Sequence, residues 1–324
     1  MTTVTMAKAL NTALRDALAE DPDVVVYGED VGTLGGVFRI TDGLQAEFGA
    51  DRCFDTPVAE AGIVGTAVGM AMYGMRPVVE MQFDGFSYPA FDQVVSHVAK
   101  LRNRSHGTLE MPIVVRIPCG GGVGAVEHHS ESPEAYYAHI AGLTVVSPGT
   151  PSDAYRLLRL AIASPDPVVF LEPKRRYWMR EEAELSVDGP GLDRAVVRRA
   201  GTTATLLAYG AMVATALETA EAATAEGWDL EVIDLRSLNP LDTETVVGSV
   251  IRTGRAVVIH EASRFGGYGA EVAAEVSERA FPHLAAPVLR VTGFDVPYPP
   301  SRVEEHFLPG VDRILDAVAS SLRW

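Results

Sequence analysis

Short apolar runs alternate with amphipathic stretches along the first half of the chain. Runs rich in valine and isoleucine lie at residues 23–27, 77–83, 112–117, 143–146 and 167–171. Apolar residues at helical spacing lie between them, at 6–19, 60–73, 89–103 and 152–163, and Thr5 can cap the first of these segments. Strands that are buried on both faces and separated by helices are typical of a parallel sheet with helices on either side. The pattern therefore predicts an α/β fold.

The second half of the chain shows another, smaller alternation. Predicted strands lie at 204–208, 230–234, 255–260 and 287–291, and predicted helices at 211–226, 243–253 and 269–281. Gly227 and Gly254 each follow a helix, where glycine suits the left-handed cap. Between the two halves, residues 176–200 are charged and contain proline and glycine, which predicts a linker. We therefore expect two parallel-sheet domains, at residues 1–175 and 201–324.

The composition narrows the classes of protein to which the chain can belong. With 324 residues, of which 47% are hydrophobic, it exceeds the size of one typical core. The 43 acidic residues outnumber 27 basic ones, so the net charge of −16 disfavours a nucleic-acid partner. Two cysteines are too few for a disulfide framework, and the longest uncharged apolar stretch, 61–75, contains four glycines and is too short for a membrane span. With no secretory signal, these features predict a cytoplasmic protein without a membrane partner.

Loops that follow strands are the expected place for chemistry, because open parallel sheets bind ligands beyond the carboxyl ends of their strands. One such loop contains the segment 120–125, which matches the G-x-G-x-x-A pattern of dinucleotide-binding turns. The polar sequence after it, and the lack of an acidic residue about 20 positions further on, disfavour that interpretation. Residues 266–276 match the fingerprint only in part. A nicotinamide-dependent dehydrogenase stays an alternative, and it requires that the isolated chain binds NAD.

Three titratable residues stand out in or beside these loops, and local sequence leaves their roles open. Glu60 begins the predicted helix 60–73, where the helix dipole favours a first-turn carboxylate whether or not it has a catalytic role. His128 and His129 lie in the glycine-rich loop between two glutamates. Either histidine can be a merely hydrogen-bonded residue, or an acid or base near neutral pH.

Seven segments, spread in order along nearly the whole chain, resemble the beta subunits of 2-oxo acid dehydrogenases. They are YGEDVG at 27–32, DTPVAEAGIVGTAVGMA at 55–71, EMQFDGFSYPAFDQVVSHVAK at 80–100, HSESPEAYYAH at 129–139, LEPK at 171–174, IHEASRFGGYGAEVA at 259–273 and GFDVPYP at 293–299. The resemblance implies an N-terminal transketolase-like pyrimidine-binding domain followed by a transketolase C-terminal-like domain. It also implies thiamine diphosphate as a cofactor shared with an alpha subunit. The chain contains no GDG motif, which a stand-alone thiamine enzyme such as a transketolase would need.

The same resemblance implies a pocket for the pyrimidine ring of the cofactor. Glu60, in the segment TPVAE, matches the catalytic glutamate that hydrogen-bonds the aminopyrimidine ring and so activates the cofactor. Val58, Gln82 and Phe86 match other residues of that pocket. Phe86 stands where branched-chain enzymes have a tyrosine, so one polar contact is lost.

His129 matches a catalytic histidine near the reacting carbon. In the family this residue handles protons when the acyl group passes to lipoyl-lysine. The usual sequence there is His-Ser-Gln, whereas this chain has His-Ser-Glu. Glu131 therefore adds a charge close to His129.

Two metal ions are also implied. The magnesium ion that accompanies the diphosphate belongs to the alpha subunit. A structural potassium ion is held in related beta subunits by oxygens, mostly backbone carbonyls, at the positions that match Ile113, Ala161, Ile162, Ser164 and Asp166. Ser164 replaces an aspartate common in the family, and the loss of a carboxylate weakens a site for a hard cation while leaving the carbonyl in place.

The function implied is oxidative decarboxylation of a 2-oxo acid with acyl transfer to lipoyl-lysine of an acyltransferase core, by an alpha2-beta2 heterotetramer. The segments at 80–93, 129–139 and 171–174 look closer to branched-chain than to pyruvate enzymes. Expected substrates are therefore 3-methyl-2-oxobutanoate and its relatives, from branched-chain amino acid catabolism, with pyruvate as the alternative. A mainly structural docking subunit, whose acidic C-terminal domain contacts a basic domain of the acyltransferase, is a second alternative. Such a subunit needs neither Glu60 nor His129.

Overall fold

The computed structural model describes residues 2–324, which contain fourteen strands. The strands are β1 (Thr2–Thr5), β2 (Val24–Gly28), β3 (Cys53–Asp55), β4 (Arg76–Glu80), β5 (Val114–Cys119), β6 (Thr144–Val146), β7 (Val168–Pro173), β8 (Arg180–Ala183), β9 (Val196–Arg199), β10 (Ala204–Ala208), β11 (Leu230–Asp234), β12 (Ser237–Asn239), β13 (Ala256–Ile259) and β14 (Leu289–Val291). Apart from the short β1, β3, β8, β9 and β12, they coincide with the apolar runs, so the predicted strands are confirmed.

Twelve α-helices lie between and after these strands in the described part of the chain. They are α1 (Met6–Glu20), α2 (Leu44–Phe48), α3 (Glu60–Met72), α4 (Phe91–Gln93), α5 (Leu101–Arg104), α6 (Glu134–Ala138), α7 (Pro151–Ala163), α8 (Met212–Ala222), α9 (Thr243–Thr253), α10 (Gly269–Ala280), α11 (Glu304–Phe307) and α12 (Val311–Leu322). Across residues 2–324, none of the helices combines the length and the apolar character needed to cross a lipid bilayer.

Local signals at the helix ends are confirmed, but one predicted helix is broken. The Thr5 hydroxyl accepts a hydrogen bond from the Lys8 amide (3.1 Å), and Gly227 and Gly254 adopt left-handed conformations after their helices (φ 76° and 70°). The predicted helix 89–103 is instead a series of short turns, with a 3₁₀ segment, α4, a π turn and α5.

The strands form two main sheets. The larger has the order β12-β6-β7-β5-β4-β2-β3 and is parallel except for the β12–β6 pair. The smaller has the order β14-β13-β10-β11-β9 and is parallel except for β9. β1 and β8 form a separate antiparallel pair. The prediction of two parallel sheets is confirmed, with antiparallel strands added at one edge of each.

The segment predicted as a linker is partly ordered into strands. Residues 176–200 contain β8 and β9, and β9 extends the smaller sheet beside β11. β12, which follows β11 along the chain, pairs with β6 of the larger sheet, with Ser237 opposite Val146. These strands are too short and too polar to show a period in the sequence. The division of the chain at residues 175 and 201 stays a prediction, because the two halves share a sheet.

Alternate side chains of the larger sheet enter two separate cores. On β2, Val24 and Val26 contact the core that includes α1 and α7, whereas Val25 and Tyr27 contact the core that includes α3. The central strands are therefore buried on both faces, as their continuous apolar sequence predicts. In this sheet the carboxyl ends of β2, β3, β4 and β5 lie side by side.

Candidate active site

The segments that carry the predicted site residues all follow strands at the carboxyl-terminal end of the larger sheet. β2, β3, β4 and β5 are neighbouring parallel strands, so their carboxyl ends point in one direction. Glu29 follows β2, Glu60 follows β3, Gln82 follows β4, and the loop with His129 follows β5. The sheet topology thus brings together residues that lie up to a hundred positions apart in the chain.

Glu60 is the first residue of α3 and retains only 9% of its accessible surface. The neighbouring carboxyl of Glu29 is also buried, and one of its oxygens has no hydrogen-bond partner among the described residues. Burial, together with the charges of Glu60 and Asp30, raises the pKa of Glu29. Val58, two residues before Glu60, is 80% exposed. The niche therefore combines buried carboxyls with an uncovered apolar side chain, which fits a flat heterocyclic ring.

The remaining predicted pocket residues lie on the loop after β4. The Gln82 amide donates to the carboxylate of Asp30 (3.2 Å), which ties this loop to the one after β2. The Phe86 ring lies 5.7 Å from the Phe83 ring and 5.1 Å from the His129 ring, both edge to face. Gln82 is therefore tied to the loop after β2, and Phe86 lies towards His129.

His129 is half-buried against aromatic rings. Its imidazole lies 4.2 Å from the Phe83 ring, and its Nδ1 has no hydrogen-bond partner within residues 2–324. Burial, then the neighbouring His128 and Lys174, lower the pKa of His129 below its ordinary value. The imidazole is therefore neutral at physiological pH and can accept a proton there.

A buried ion pair that the sequence did not reveal supports the backbone beside His129. Lys174 and Asp84 form an ion pair with no exposed side-chain surface. The Lys174 ammonium also donates to the His129 carbonyl (2.7 Å), and the Asp84 carboxylate accepts from the Glu131 amide (2.7 Å). The sequence indicated only that Asp84 and Lys174 each follow a predicted strand, and it did not indicate that they pair.

A second buried cluster of charged residues joins three strands of the larger sheet, next to the loops of the site. Arg116 on β5 donates to Glu80 on β4 and to Glu172 on β7, both at 2.6 Å, and the Tyr177 hydroxyl also donates to Glu172. Burial disfavours the Arg116 charge, but Glu172 and Glu80 outweigh it and raise the Arg116 pKa. The cluster ties together the carboxyl ends of three strands that carry site loops.

The positions matched to a potassium ion lie around the turn after α7. Ala161 and Ile162 lie in the last turn of that helix, and Ser164 and Asp166 follow it. The Ile113 carbonyl accepts from the Val168 amide at the start of β7 (2.9 Å). The guanidinium of Arg76 donates to the carbonyls of Ile162 (3.1 Å) and Ser164 (3.3 Å). Backbone oxygens of the expected kind are therefore present, but the Arg76 guanidinium already contacts two of them. Residues 2–324 contain no cluster of three or more His, Cys, Asp or Glu side chains arranged to hold a metal ion.

Comparison with known proteins supports the same interpretation along the whole chain. Residues 2–179 match the family "Transketolase, pyrimidine binding domain", and residues 193–314 match "Transketolase, C-terminal domain". The chain is 59% identical over 321 residues to the 3-methyl-2-oxobutanoate dehydrogenase subunit beta of Mycobacterium tuberculosis, covering 99% of this chain and 92% of that protein. It is 56% identical to a pyruvate dehydrogenase E1 component subunit beta of Leifsonia xyli, covering 98% of this chain and 95% of that protein.

Two further relatives extend this comparison. The 2-oxoisovalerate dehydrogenase subunit beta of Pseudomonas aeruginosa is 48% identical over 97% of this chain and 93% of its own length. A solved structure described as a split gene transketolase, an inactive beta4 tetramer, superposes with a TM-score of 0.83 at 25% identity, covering 99% of this chain and 98% of that one. The predicted recognition and fold class are confirmed. The chain belongs to the family of 2-oxo acid dehydrogenase beta subunits, with transketolase-like pyrimidine-binding and C-terminal domains.

Proposed function

We propose that this chain, with an alpha subunit, catalyses the oxidative decarboxylation of branched-chain 2-oxo acids and the transfer of the acyl group to lipoyl-lysine. The observation that carries the proposal is the placement of Glu60 and His129 at one sheet edge, in a chain that is 59% identical over its length to a 3-methyl-2-oxobutanoate dehydrogenase subunit. A purely structural docking subunit needs neither side chain in a partly buried niche.

The cofactor in this proposal is thiamine diphosphate, whose thiazolium carbon supplies the nucleophile for cleavage of the bond to the substrate carboxyl group. Glu60 would hydrogen-bond the pyrimidine ring, and Val58, Gln82 and Phe86 would contribute to the pocket for that ring. Burial, together with the charges of Glu60 and Asp30, raises the pKa of Glu29, the second buried carboxyl of this niche. Diphosphate and its magnesium ion lie with the alpha subunit.

In the acyl-transfer step, His129 acts as the acid and base that exchanges a proton with the lipoyl sulfur. Its Nδ1 has no hydrogen-bond partner within residues 2–324, and the rings of Phe83 and Phe86 pack against the imidazole. An unpartnered neutral imidazole can act as a proton acceptor.

The alpha partner is expected on the exposed side of α3. Small or apolar residues with no cover in the described chain form a continuous stripe there, namely Ala61, Gly62, Thr66, Gly69, Met72 and Tyr73. Tyr73 is 90% exposed at the end of that stripe. Such a surface is expected to be buried in an assembly, and we propose an alpha2-beta2 heterotetramer that delivers acyl groups to a lipoyl acyltransferase core.

Pyruvate is the second candidate substrate, because a pyruvate dehydrogenase beta subunit is nearly as similar to this chain, at 56% identity. An apolar pocket discriminates by only about 1–3 kcal/mol per methylene, so the preference is a matter of degree. The test is lipoyl-domain acylation by this chain co-purified with its alpha subunit, with 3-methyl-2-oxobutanoate and with pyruvate. We expect the branched-chain acid to be used faster and the beta chain alone to be inactive. If the holoenzyme used pyruvate faster, the proposed substrate would be wrong. If the isolated beta chain were active, the proposal that the active site is shared with an alpha subunit would be wrong.

We also propose that potassium is bound by oxygens, mostly backbone carbonyls, of Ile113, Ala161, Ile162, Ser164 and Asp166. Because a ligand that binds only the folded state stabilises it, potassium chloride is expected to raise the melting temperature by a few degrees over sodium chloride at equal ionic strength. Equal melting temperatures in the two salts would contradict the site. Arg76 would then be the only cation at the Ile162 and Ser164 oxygens.

A further inference from the structure

The loop that carries His129 is closed on itself. The Gly120 amide donates to the Glu131 carbonyl (2.8 Å), so the two ends of the twelve-residue segment 120–131 are hydrogen-bonded to each other. Compact loops of this kind hold their shape through their own contacts and through what packs against them. The position of His129 therefore depends on what holds the loop at each end.

The glycine-rich beginning of the loop is bonded to carboxylates from the second half of the chain. Glu261, after β13, accepts from the Gly121 amide (2.9 Å). Glu304, at the start of α11, accepts from the amides of Gly122 (2.9 Å) and Gly124 (3.2 Å). Both carboxylates are buried. Charge-assisted hydrogen bonds in a buried setting are among the stronger polar contacts in proteins.

Side chains are sterically excluded from this part of the loop. A Cβ at Gly121 would lie 1.7 Å from the Tyr298 hydroxyl, and one at Gly122 would lie 2.3 Å from Cδ of Arg175. The Tyr298 hydroxyl in turn donates to Glu304 (2.6 Å). The loop backbone is therefore seated in a slot whose walls include Tyr298 and Glu304, and those two residues belong to the C-terminal half.

The other end of the loop is held by the N-terminal half, through Asp84 and Lys174 as described above. Gly85 also touches it, because a Cβ there would lie 2.4 Å from the His128 carbonyl oxygen. His129 thus lies between one anchor from each half of the chain. A shift at either anchor would move the imidazole relative to Phe83 and Phe86.

We propose that Glu261 and Glu304 are positioning residues for His129, so that the C-terminal half sets the geometry of acyl transfer without touching the cofactor pocket. The inference rests on the proposed function of His129. Glu60 and Val58 lie outside this loop, and the Gln82 amide donates to Asp30 rather than to either carboxylate. Phe86 is the proposed pocket residue that lies beside the His129 ring. Loss of the anchor should therefore slow acylation of the lipoyl group more than decarboxylation itself.

The experiment compares two rates on the holoenzyme co-purified with its alpha subunit. Decarboxylation is followed with an artificial electron acceptor, and acyl transfer is followed as acylation of a lipoyl domain. Glu304→Ala and Glu261→Ala are each expected to reduce lipoyl acylation about tenfold while decarboxylation stays within about twofold. Glu304→Gln, which keeps one acceptor oxygen, should recover part of the loss and serves if Glu304→Ala does not fold. Glu305→Ala, at the exposed neighbour, is the matched control and should change neither rate.

A double-mutant cycle separates positioning from a general structural role. In a His129→Ala background, Glu304→Gln should no longer change lipoyl acylation, because the residue that it positions is gone. Equal loss of both rates, an unchanged acylation rate, or an undiminished effect in the His129→Ala background would each overturn the proposal. Failure of the wild-type holoenzyme to acylate any lipoyl domain would instead contradict the proposed function, and the positioning role with it.

Discussion

At the scale of single residues, the most informative feature is that two carboxyls share one niche. Glu29 and Glu60 are both buried, and their mutual repulsion adds to burial in raising the Glu29 pKa. A carboxylate that only complements a helix dipole is normally exposed and gains nothing from a second carboxylate beside it. The arrangement therefore favours a chemical role for Glu60 over a merely local one.

Glu60→Gln is expected to reduce decarboxylation by the holoenzyme at least a hundredfold, because the amide cannot exchange a proton with the pyrimidine ring. The measurement is release of carbon dioxide from 3-methyl-2-oxobutanoate. Glu244→Gln is the matched control, since Glu244 also lies in the first turn of a helix but is exposed. If both variants keep wild-type rates, Glu60 is only a first-turn carboxylate.

His260 predicts a pH effect on stability that is separate from catalysis. It is fully buried and has no side-chain partner within residues 2–324, and burial, with a contribution from Arg290, lowers its pKa to about 4. The unfolded chain therefore binds a proton below about pH 6.5 that the folded chain does not, and stability falls as the pH drops from 6.5 towards 4.

His260→Gln should reduce this acid sensitivity, by up to about 1.4 kcal/mol per pH unit within that window. Urea unfolding at pH 7.5 and pH 5 measures it, with the exposed His283→Gln as control. An equal loss of stability on acidification in wild type and His260→Gln would show that another group is responsible.

At the scale of secondary-structure elements, strand ends are held by charges rather than by apolar contacts alone. Arg116 lies between Glu80 and Glu172, and all three side chains are buried. Burial raises the pKa of Glu80, and the Arg116 charge opposes that rise. The guanidinium thus keeps two carboxylates in place at the ends of β4 and β7, directly behind the loops of the site.

Arg116→Met is expected to lower the free energy of unfolding by about 3–5 kcal/mol, because it leaves two buried carboxylates without a counter-charge. Urea denaturation provides the measurement. Arg279→Met is the control, since its i,i+4 pair with Glu275 lies at the surface and should contribute less than about 1 kcal/mol. Similar losses in the two variants would mean that the buried cluster has no special role.

At the scale of the whole molecule, the two halves of the chain meet through buried polar contacts as well as through β12. The Tyr209 hydroxyl, after β10, donates to Glu134 on α6 (2.5 Å). Burial raises the pKa of Glu134 to about 7. The folded chain therefore retains a proton that the unfolded chain releases near pH 4.5, and stability is lost as the pH rises from there to about 7.

Glu134→Gln resembles the protonated form and should remove this loss. The variant is expected to be more stable relative to wild type at pH 8 than at pH 5.5, by on the order of 1 kcal/mol or more. Denaturation at the two pH values measures the difference, and a constant offset between the two proteins would contradict the raised pKa. The exposed Glu226→Gln provides a control in which no change with pH is expected.

The sequence alone predicted those features whose causes are local. Strand β10 and helix α9 lie at the predicted residues, and the caps at Thr5, Gly227 and Gly254 behave as expected, because periodicity and cap chemistry act within a few residues. The family resemblance rests on motifs that are also contiguous. It matched Glu60 and His129 to catalytic residues of the family, and those roles stay predictions.

Which distant residues share an environment follows from packing and not from any local pattern. Nothing near Glu304 in the sequence indicates Gly122, which lies 182 positions earlier, and nothing near Ser237 indicates a place in the first sheet. Such contacts have no local signature, because a buried carboxylate and a backbone amide interact only after both halves of the chain have packed. Local sequence was sufficient for the apolar strands and most of the long helices and for the chemistry available in each loop, but not for the broken segment 89–103 or for β8 and β9. Packing decided which loops meet, since the free energy of those contacts exists only in the folded molecule.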